Sequence, residues 1–106
     1  MLFRSTSVEI QVMRIVQEAL TNTRKHAHAT AASISFEQNS DGLLFTVADN
    51  GRGFDPARLP LTGWPRFGLQ TMHERAEAVG GTLSIDSGPS RGTSIQVRIS
   101  NVAARG

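Results

Sequence analysis

The chain has 106 residues, a formal net charge of +2 at pH 7, 39% hydrophobic residues and no cysteine. This length allows one domain with a core of its own, and the lack of cysteine excludes a disulfide framework and a thiolate metal site. No apolar run reaches the ~18–20 residues that a membrane span needs, and the small net charge, without aromatic residues interleaved along a basic stripe, argues against a nucleic-acid binder.

The first predicted element is a long amphipathic helix. Thr6 and Glu9 have the spacing of a capping box, which opens a helix, and we expect the helix to end near His28–Ala29. Residues at helical spacing predict one stripe that faces a core; they are Val8, Val12, Ile15, Val16, Ala19, Leu20, Thr23 and Ala27. A polar edge beside this stripe is suited to line a cleft; it consists of Glu18, Asn22, Lys25 and His26.

Two hairpins and a second helix are predicted after it. The alternating patterns of four strands occupy Ala31–Glu37, Leu43–Ala48, Thr82–Asp86 and Thr93–Ile99. Turn residues join the strands of each hairpin, at Asn39–Gly42 and at Ser87–Gly92. The second helix is predicted over Arg66–Val79 and should end at Gly80–Gly81. A loop rich in glycine and proline, longer than most connections, lies between the first hairpin and this helix.

The predicted order is helix, two strands, loop, helix, two strands. Because helices alternate with hairpins and not with single strands, we predict an α+β fold, a two-layer sandwich with helices on one face of a mixed, mostly antiparallel sheet. The domain is expected to span residues 7–100, after an N-terminal extension or cloning remnant at residues 1–6 and before a tail at residues 101–106.

Three polar motifs follow one another along the chain. They are QEALTNTRKHA over Gln17–Ala27, DNGRG over Asp49–Gly53, and GLQTMHERA over Gly68–Ala76. Neither a P-loop, GxxxxGK[ST], nor a GxGxxG fingerprint after a strand is present. The three motifs resemble the nucleotide-binding boxes of the GHKL ATPases, and among these the ATP-binding domain of the sensor histidine kinases that serve NarL-type response regulators. The resemblance implies the Bergerat ATP-binding fold, with ATP and Mg²⁺ as ligands.

The resemblance assigns an adenine end to the site. Asp49, at the end of a predicted strand, would accept a hydrogen bond from the adenine amine, where guanine presents a carbonyl. Gly51 and Gly53 match glycines that permit positive φ and a close approach of the backbone to the purine. Thr93, which follows Gly92, would share a water with the aspartate.

The remaining matches concern the phosphates. Asn22 matches the asparagine that coordinates Mg²⁺ in the family, and Glu18 matches the acid that polarises the attacking group. Lys25 and His26 would donate to phosphate oxygens. Gly68–Leu69 begins the second helix, whose free backbone N–H groups would hold the triphosphate.

The implied function is that of a protein-histidine kinase domain. It would donate the γ-phosphoryl of Mg-ATP to a histidine on a separate dimerisation domain of the same kinase, and through it serve a NarL-type response regulator. We expect no acceptor domain before Thr6, so the isolated chain should bind ATP without labelling itself. Nucleic acid and membrane are not expected partners, and the domain should be cytoplasmic, whether or not the full-length protein is membrane-anchored.

Two other functions remain open. An anti-sigma-factor serine kinase would use a similar ATP site on a free-standing domain, with its acceptor serine on a partner protein. A non-catalytic docking module would carry a degenerate nucleotide site, against which the intact motifs argue. In either kinase the loop Arg52–Phe67 would be an ATP lid that is mobile without ligand, and Trp64, the single tryptophan, would report its closure.

Overall fold

A computed structural model describes residues 6–61, 63 and 65–100, and the side chains among them from residue 8 onward. In chain order the elements are α1 (Thr6–Asn22), a π-helical segment (Thr23–Ala27), β1 (Ala32–Asn39), β2 (Gly42–Asp49), a 3₁₀ turn (Pro56–Arg58), α2 (Arg66–Glu77), β3 (Gly81–Ser87) and β4 (Thr93–Ser100). This order confirms the predicted succession of helices and hairpins. The predicted capping box depends on the Thr6 side chain, which lies outside the described residues.

The four strands form one sheet in the order β1-β2-β4-β3. Each described pair of neighbouring strands is antiparallel, so the α+β prediction is confirmed with a fully antiparallel sheet in place of the expected mixed one. The helices pack against each other, α1 also contacts β2, and α2 contacts β3. None of the described helices is both long and apolar enough to cross a membrane.

The helix-facing side of the sheet has apolar rows of side chains and ends in a polar row. Residues directly opposite each other in neighbouring strands share a face, and on this face the rows are apolar, as in Val47–Ile95–Ile85. The last row is instead Asp49, Thr93 and Ser87, which are Cα partners across β2, β4 and β3. A polar row therefore closes the core at the end of the sheet that lies beside the end of the first helix.

The first helix ends in a widened turn. Thr23 Oγ1 lies 3.1 Å from the carbonyl oxygen of Ala19, and such side-chain competition for a helix carbonyl bends helices. The five-residue π-helical segment follows and ends at Ala27, after which His28 adopts a left-handed φ of 53°. The predicted helix end near His28–Ala29 is confirmed, although the last turn is π-helical and not α-helical.

Strand β1 is the exposed edge of the sheet. All eight of its residues are exposed, including Ile34 and Phe36 on the helix-facing side. The Phe36 ring stacks on the fully buried Phe45 with a centroid separation of 5.7 Å. The helices therefore cover β2, β4 and β3 but leave β1 largely uncovered.

Candidate functional site

A small cavity lies where the end of α1, the polar end of the sheet and the start of α2 meet. Five predicted site residues line it, namely Asn22, Asp49, Gly53, Leu69 and Thr93. Its volume is about 20 Å³, enough for about one water, whereas small-molecule pockets usually measure ~300–1,000 Å³. The described state is therefore closed, and a nucleotide can enter only if part of the lining moves.

The residues that line the cavity come partly from the sheet and partly from the predicted lid. Val47 and Ile95, both buried in the sheet, contribute an apolar floor. Phe54 and Pro65, from the two ends of the predicted lid, complete the wall. An apolar floor is suited to a planar ring system, and the lid residues occupy the space that such a ring would need.

Asp49 is held at both carboxylate oxygens. The backbone N–H of Gly51 donates to Oδ1 at 2.8 Å, and Thr23 Oγ1 lies 3.2 Å from Oδ2. The next residue, Asn50, ties the turn to the start of β1, because its side-chain oxygen accepts from the backbone N–H groups of Thr30 and Ala31 at 2.9 and 3.0 Å. The carboxylate is thus placed by the helix end on one side and by its own turn on the other.

Glycine is required at the two positions of the DNGRG motif for different structural reasons. Gly53 has a φ of +63°, as predicted, and a Cβ there would overlap the carbonyl oxygen of Gly88. Gly51 does not have positive φ, which corrects the expectation for this residue. Its requirement is for space, since a Cβ would lie 2.7 Å from the Cβ of Ala27, and the neighbouring Arg52 N–H donates to the Ala27 carbonyl at 2.7 Å. The close approach at Gly51 is therefore to the end of the first helix.

Glu18, Asn22 and Gly68 meet at the start of α2. A Cβ added at Gly68 would lie 2.7 Å from Asn22 Nδ2 and 2.9 Å from Glu18 Oε1. The two polar side chains share a helix face because they are four residues apart. A glycine at this position lets the start of α2 approach both side chains directly.

The first backbone N–H groups of α2 are not free. The N–H of Phe67 donates to the Gly63 carbonyl at 2.9 Å, and that of Leu69 donates to the Pro65 carbonyl at 3.1 Å. This corrects the prediction that both groups point to a phosphate in the state described. The physical reason is that the end of the lid already has helical hydrogen bonding, so the ladder of α2 begins before Arg66.

Lys25 and His26 are two of the five predicted site residues that do not line the cavity. Lys25 is exposed and His26 is half-buried. Their placement one turn after Asn22 assumed α-helical phase, and the π-helical segment that holds them changes that phase. Glu18, Gly51 and Gly68 also lie outside the cavity lining. Gly68 nevertheless lies close to the lining residue Asn22 and to Glu18, because a Cβ added there would overlap both side chains.

The half-buried Thr93 hydroxyl is paired with the buried hydroxyl of Ser87, a contact that we did not predict from the sequence. Ser87 is 7% exposed, and its Oγ lies 2.9 Å from Thr93 Oγ1 and 3.0 Å from the Gly92 carbonyl oxygen. The backbone N–H of Phe54 donates to the same Oγ at 2.9 Å. Ser87 therefore links the late Gly-Thr motif to the start of the lid.

The described part of the lid is anchored more firmly than expected. Phe54 and Leu59 pack against the core, and the 3₁₀ turn is capped by Asp55, which accepts from the Ala57 N–H at 2.9 Å. Leu61, by contrast, is 88% exposed. The prediction that Trp64 reports lid closure lies outside the described residues.

We did not predict two residues of the site from the sequence. Thr23 was placed in the apolar stripe, yet its hydroxyl contacts Asp49. Ser87 was assigned to a turn because Gly88–Pro89 follows it, yet it is the last residue of β3. The alternation of Leu83, Ile85 and Ser87 was the available signal, since it places the serine on the core side of the strand.

The described residues form no metal cluster of their own. In the part of the chain that the structure describes, no group of three or more histidine, cysteine, aspartate or glutamate side chains could hold a metal ion. A divalent ion here would depend on ligands from a bound phosphate and from water. Such an arrangement is usual for Mg²⁺, which keeps several waters and takes few protein ligands.

Comparison with known proteins places these residues in a family. Residues 7–102 match the family of histidine kinase-, DNA gyrase B- and HSP90-like ATPases. The chain is 40% identical over 92 residues to the signal transduction histidine-protein kinase/phosphatase DegS of Brevibacillus brevis, covering 87% of this chain and 23% of DegS. It is 37% identical over 92 residues to the sensor protein VraS of Staphylococcus aureus, covering 86% of this chain and 25% of VraS. The chain thus spans about a quarter of the length of these curated relatives.

Solved structures agree in fold. The histidine kinase domain of the Erythrobacter litoralis EL346 blue-light activated histidine kinase matches with a TM-score of 0.74 at 22% identity, over 93% of this chain and 47% of that chain. The ATP binding domain of PrrB from Mycobacterium tuberculosis matches with a TM-score of 0.70 at 25% identity, over 86% of this chain and 67% of that chain. The two-helix, four-strand arrangement is therefore that of histidine kinase ATPase domains.

Proposed function

Because the chain belongs to the family of histidine kinase-, DNA gyrase B- and HSP90-like ATPases, we propose that it binds Mg-ATP in the cavity between α1, α2 and the polar end of the sheet. Within the whole protein it would act as the catalytic domain of a sensor histidine kinase, with residues 7–100 as that domain. The observation that carries the proposal is that Asn22 of α1, Asp49 of β2 and Thr93 of β4 line the same cavity.

The adenine would lie over the apolar floor with its amine at Asp49. A carboxylate has about four acceptor positions, and the contacts with Gly51 and Thr23 leave others open. Adenine places an N–H donor there and guanine a carbonyl, so the carboxylate would favour adenine. The floor residues Val47 and Ile95 would contact the purine face.

The phosphates would lie toward the start of α2. Asn22 and Glu18, both in contact with Gly68, offer an amide oxygen and a carboxylate, a donor set that suits an ion held mainly by phosphate and water. When bound, Mg²⁺ would neutralise charge on the transferring phosphoryl group. We assign Asn22 to the ion, Glu18 to polarising the attacking histidine, and Lys25 and His26 to phosphate oxygens at the rim.

Entry of the nucleotide would require the lid to move. The cavity of about 20 Å³ cannot hold a purine, so Phe54 and Pro65 would move away from the floor. Breaking the two hydrogen bonds from α2 to Gly63 and Pro65 would expose the N–H groups of Phe67 and Leu69. These groups, at a helix start, would then be available to the triphosphate.

The comparisons favour a histidine kinase over the two alternatives. DegS and VraS are named as a histidine kinase and a sensor protein, which supports a histidine acceptor over the serine of an anti-sigma-factor kinase. The acceptor would lie on a separate dimerisation domain, and a NarL-type response regulator would receive the phosphoryl group. We place the domain in the cytoplasm, where ATP and response regulators are found.

Calorimetric titration of ATP, with and without Mg²⁺, tests this proposal. The chain should bind ATP more tightly with Mg²⁺ than without it. The Asn22→Ala variant should keep its fold and lose that Mg²⁺ dependence, whereas Ser84→Ala, a change at an exposed position of β3 outside the three motifs, should behave as the unchanged chain. Absence of ATP binding by the folded chain would instead support the docking-module alternative.

A further inference from the structure

We infer that Ser87 is a specificity-determining residue, which fixes the direction of the Thr93 hydroxyl and thereby makes the adenine end of the cavity a surface of hydrogen-bond acceptors. The inference rests on the proposed function, since it concerns which purine the ATP site selects. Ser87 lies outside the three sequence motifs and does not line the closed cavity itself. Its effect on a ligand would pass through Thr93, so Ser87 is a positioning residue.

The direction of each hydrogen bond around Ser87 follows from the chemistry of its partners. A hydroxyl group has one proton to donate and two lone pairs to accept with. The Gly92 oxygen, 3.0 Å away, is a carbonyl and can only accept, so the Ser87 proton is directed to it. The Phe54 N–H, 2.9 Å away, can only donate, so it takes one Ser87 lone pair.

These two contacts determine the direction of the hydrogen bond between Ser87 and Thr93. The two hydroxyl oxygens lie 2.9 Å apart, and Ser87 has only a lone pair left for this contact. Thr93 must therefore donate its proton to Ser87. All three positions of the buried serine hydroxyl are then used, which is the arrangement expected of a side chain that is only 7% exposed.

This arrangement determines what Thr93 offers to the cavity. With its proton engaged by Ser87, the Thr93 oxygen has only lone pairs left for a ligand or a water. Asp49 stands directly opposite Thr93 in the neighbouring strand, and its carboxylate also only accepts. The adenine end of the site thus lacks a hydroxyl donor from Thr93, and ligand groups that donate are favoured there.

The consequence for purines can be stated atom by atom. The amine of adenine donates to Asp49, and a water that donates one proton to Thr93 can donate its other proton to N1 of adenine. Hypoxanthine, the base of ITP, has a carbonyl in place of the amine and carries a proton on N1. The carbonyl is mismatched to the Asp49 carboxylate, since both groups only accept, whereas the proton on N1 can be donated to the bridging water. The ring has nearly the same size and shape as adenine, so the carbonyl is the group against which these acceptors discriminate.

Removal of the Ser87 hydroxyl would release the Thr93 proton. In the Ser87→Ala variant the Thr93 hydroxyl can rotate and donate into the cavity, toward a purine carbonyl. The preference for ATP over ITP should then fall by roughly two- to tenfold, the range of one neutral hydrogen bond. If Ser87 had a purely structural role, Ser87→Ala would weaken the binding of both nucleotides alike and leave the ratio of their affinities unchanged.

The test is calorimetric titration of Mg-ATP and Mg-ITP into the chain and a small set of variants. Ser87→Ala should lower the ATP/ITP affinity ratio, whereas Ser87→Thr, which keeps the hydroxyl, should retain it. Ser87→Cys, whose thiol is somewhat larger and a weaker acceptor, should lie between. The double variant Ser87→Ala/Thr93→Val should have the same ratio as Thr93→Val alone, because the serine acts through the threonine.

The outcomes separate this inference from the proposed function. Tight ATP binding by the chain together with an unchanged ATP/ITP ratio in Ser87→Ala and Ser87→Cys would overturn the role of Ser87 and leave the ATP site intact. A chain that binds neither nucleotide would overturn both. If Ser87→Ala fails to melt cooperatively, the Ser87→Cys ratio decides.

Discussion

Thr23 Oγ1 lies 3.2 Å from Asp49 Oδ2, so the end of the first helix directly contacts the carboxylate that ends β2. The threonine hydroxyl has a second acceptor, the Ala19 carbonyl at 3.1 Å, but a hydrogen bond to a charged group is the stronger of the two. Asn22, the preceding residue, contacts the start of α2. Two consecutive residues at the end of the first helix therefore contact different elements around the same cavity, one the end of β2 and the other the start of α2.

The first prediction concerns this contact. Replacing Thr23 with valine keeps the branched shape and removes the hydroxyl, so Asp49 loses one of its two holding contacts. We expect ATP affinity to fall about 3- to 10-fold, the range for one hydrogen bond, with little change in melting temperature. Titration of ATP measures the effect. Thr23→Ser, which keeps the hydroxyl, should bind as the unchanged chain, and equal affinity in the valine variant would count against the contact.

The second prediction concerns the start of α2. In Gly68→Ala the new Cβ would lie 2.7 Å from Asn22 Nδ2 and 2.9 Å from Glu18 Oε1, and both side chains would have to move. Because these are the ends of flexible side chains, the fold should survive. The Mg²⁺-dependent part of ATP binding should weaken on the order of tenfold, the size of one hydrogen bond to a charged group. Affinity within twofold of the unchanged chain would show that the two side chains do not need their present positions.

The third prediction concerns stability and uses the stacked pair Phe36 and Phe45. Phe45 is fully buried whereas Phe36 is 54% exposed, so the same truncation has different consequences. Phe45→Ala should destabilise the fold by ~3–5 kcal/mol, a large share of the ~5–15 kcal/mol typical of a domain. Phe36→Ala should cost about 1 kcal/mol, the value of a stacking contact. Urea denaturation measures both, and similar losses would contradict the described core.

The fourth prediction concerns the lid. Trp64 is the single tryptophan of the chain and lies in the loop that must move before a nucleotide can enter. Its fluorescence should therefore change in intensity or wavelength on addition of saturating Mg-ATP. The Asp49→Asn variant, in which ATP binding should weaken, provides the control, because its fluorescence should respond only at higher ATP concentrations. An emission spectrum that does not respond while calorimetry detects binding would mean that the lid does not move with the nucleotide.

The sequence predicted those parts of the site that depend on local patterns. The position of Asp49 followed from the end of an alternating strand, and the pairing of Glu18 with Asn22 followed from their separation by four residues in a helix. Gly53 was correctly expected to need positive φ. These properties are set by neighbouring residues, so the sequence is sufficient to predict them.

Contacts between distant elements were not predictable in the same way. The contact of Thr23 with Asp49 depends on a π-helical turn, and the place of Ser87 depends on the register of β3 against β4. The space requirement at Gly51 comes from Ala27 on another element. At the start of α2, where free N–H groups were expected, those of Phe67 and Leu69 are engaged by the carbonyls of Gly63 and Pro65 at the end of the lid. Each of these contacts depends on how the elements pack against one another, and the local sequence pattern does not specify that packing.

Competition between ATP and GTP tests the claim that Asp49 selects adenine in a nucleotide site. The unchanged chain should bind Mg-ATP and discriminate strongly against Mg-GTP. In Asp49→Asn the side chain gains an N–H donor that suits the guanine carbonyl, so ATP binding should weaken and the preference should largely disappear. Equal binding of the two nucleotides by the unchanged chain, or an unaltered preference in Asp49→Asn, would contradict the claim.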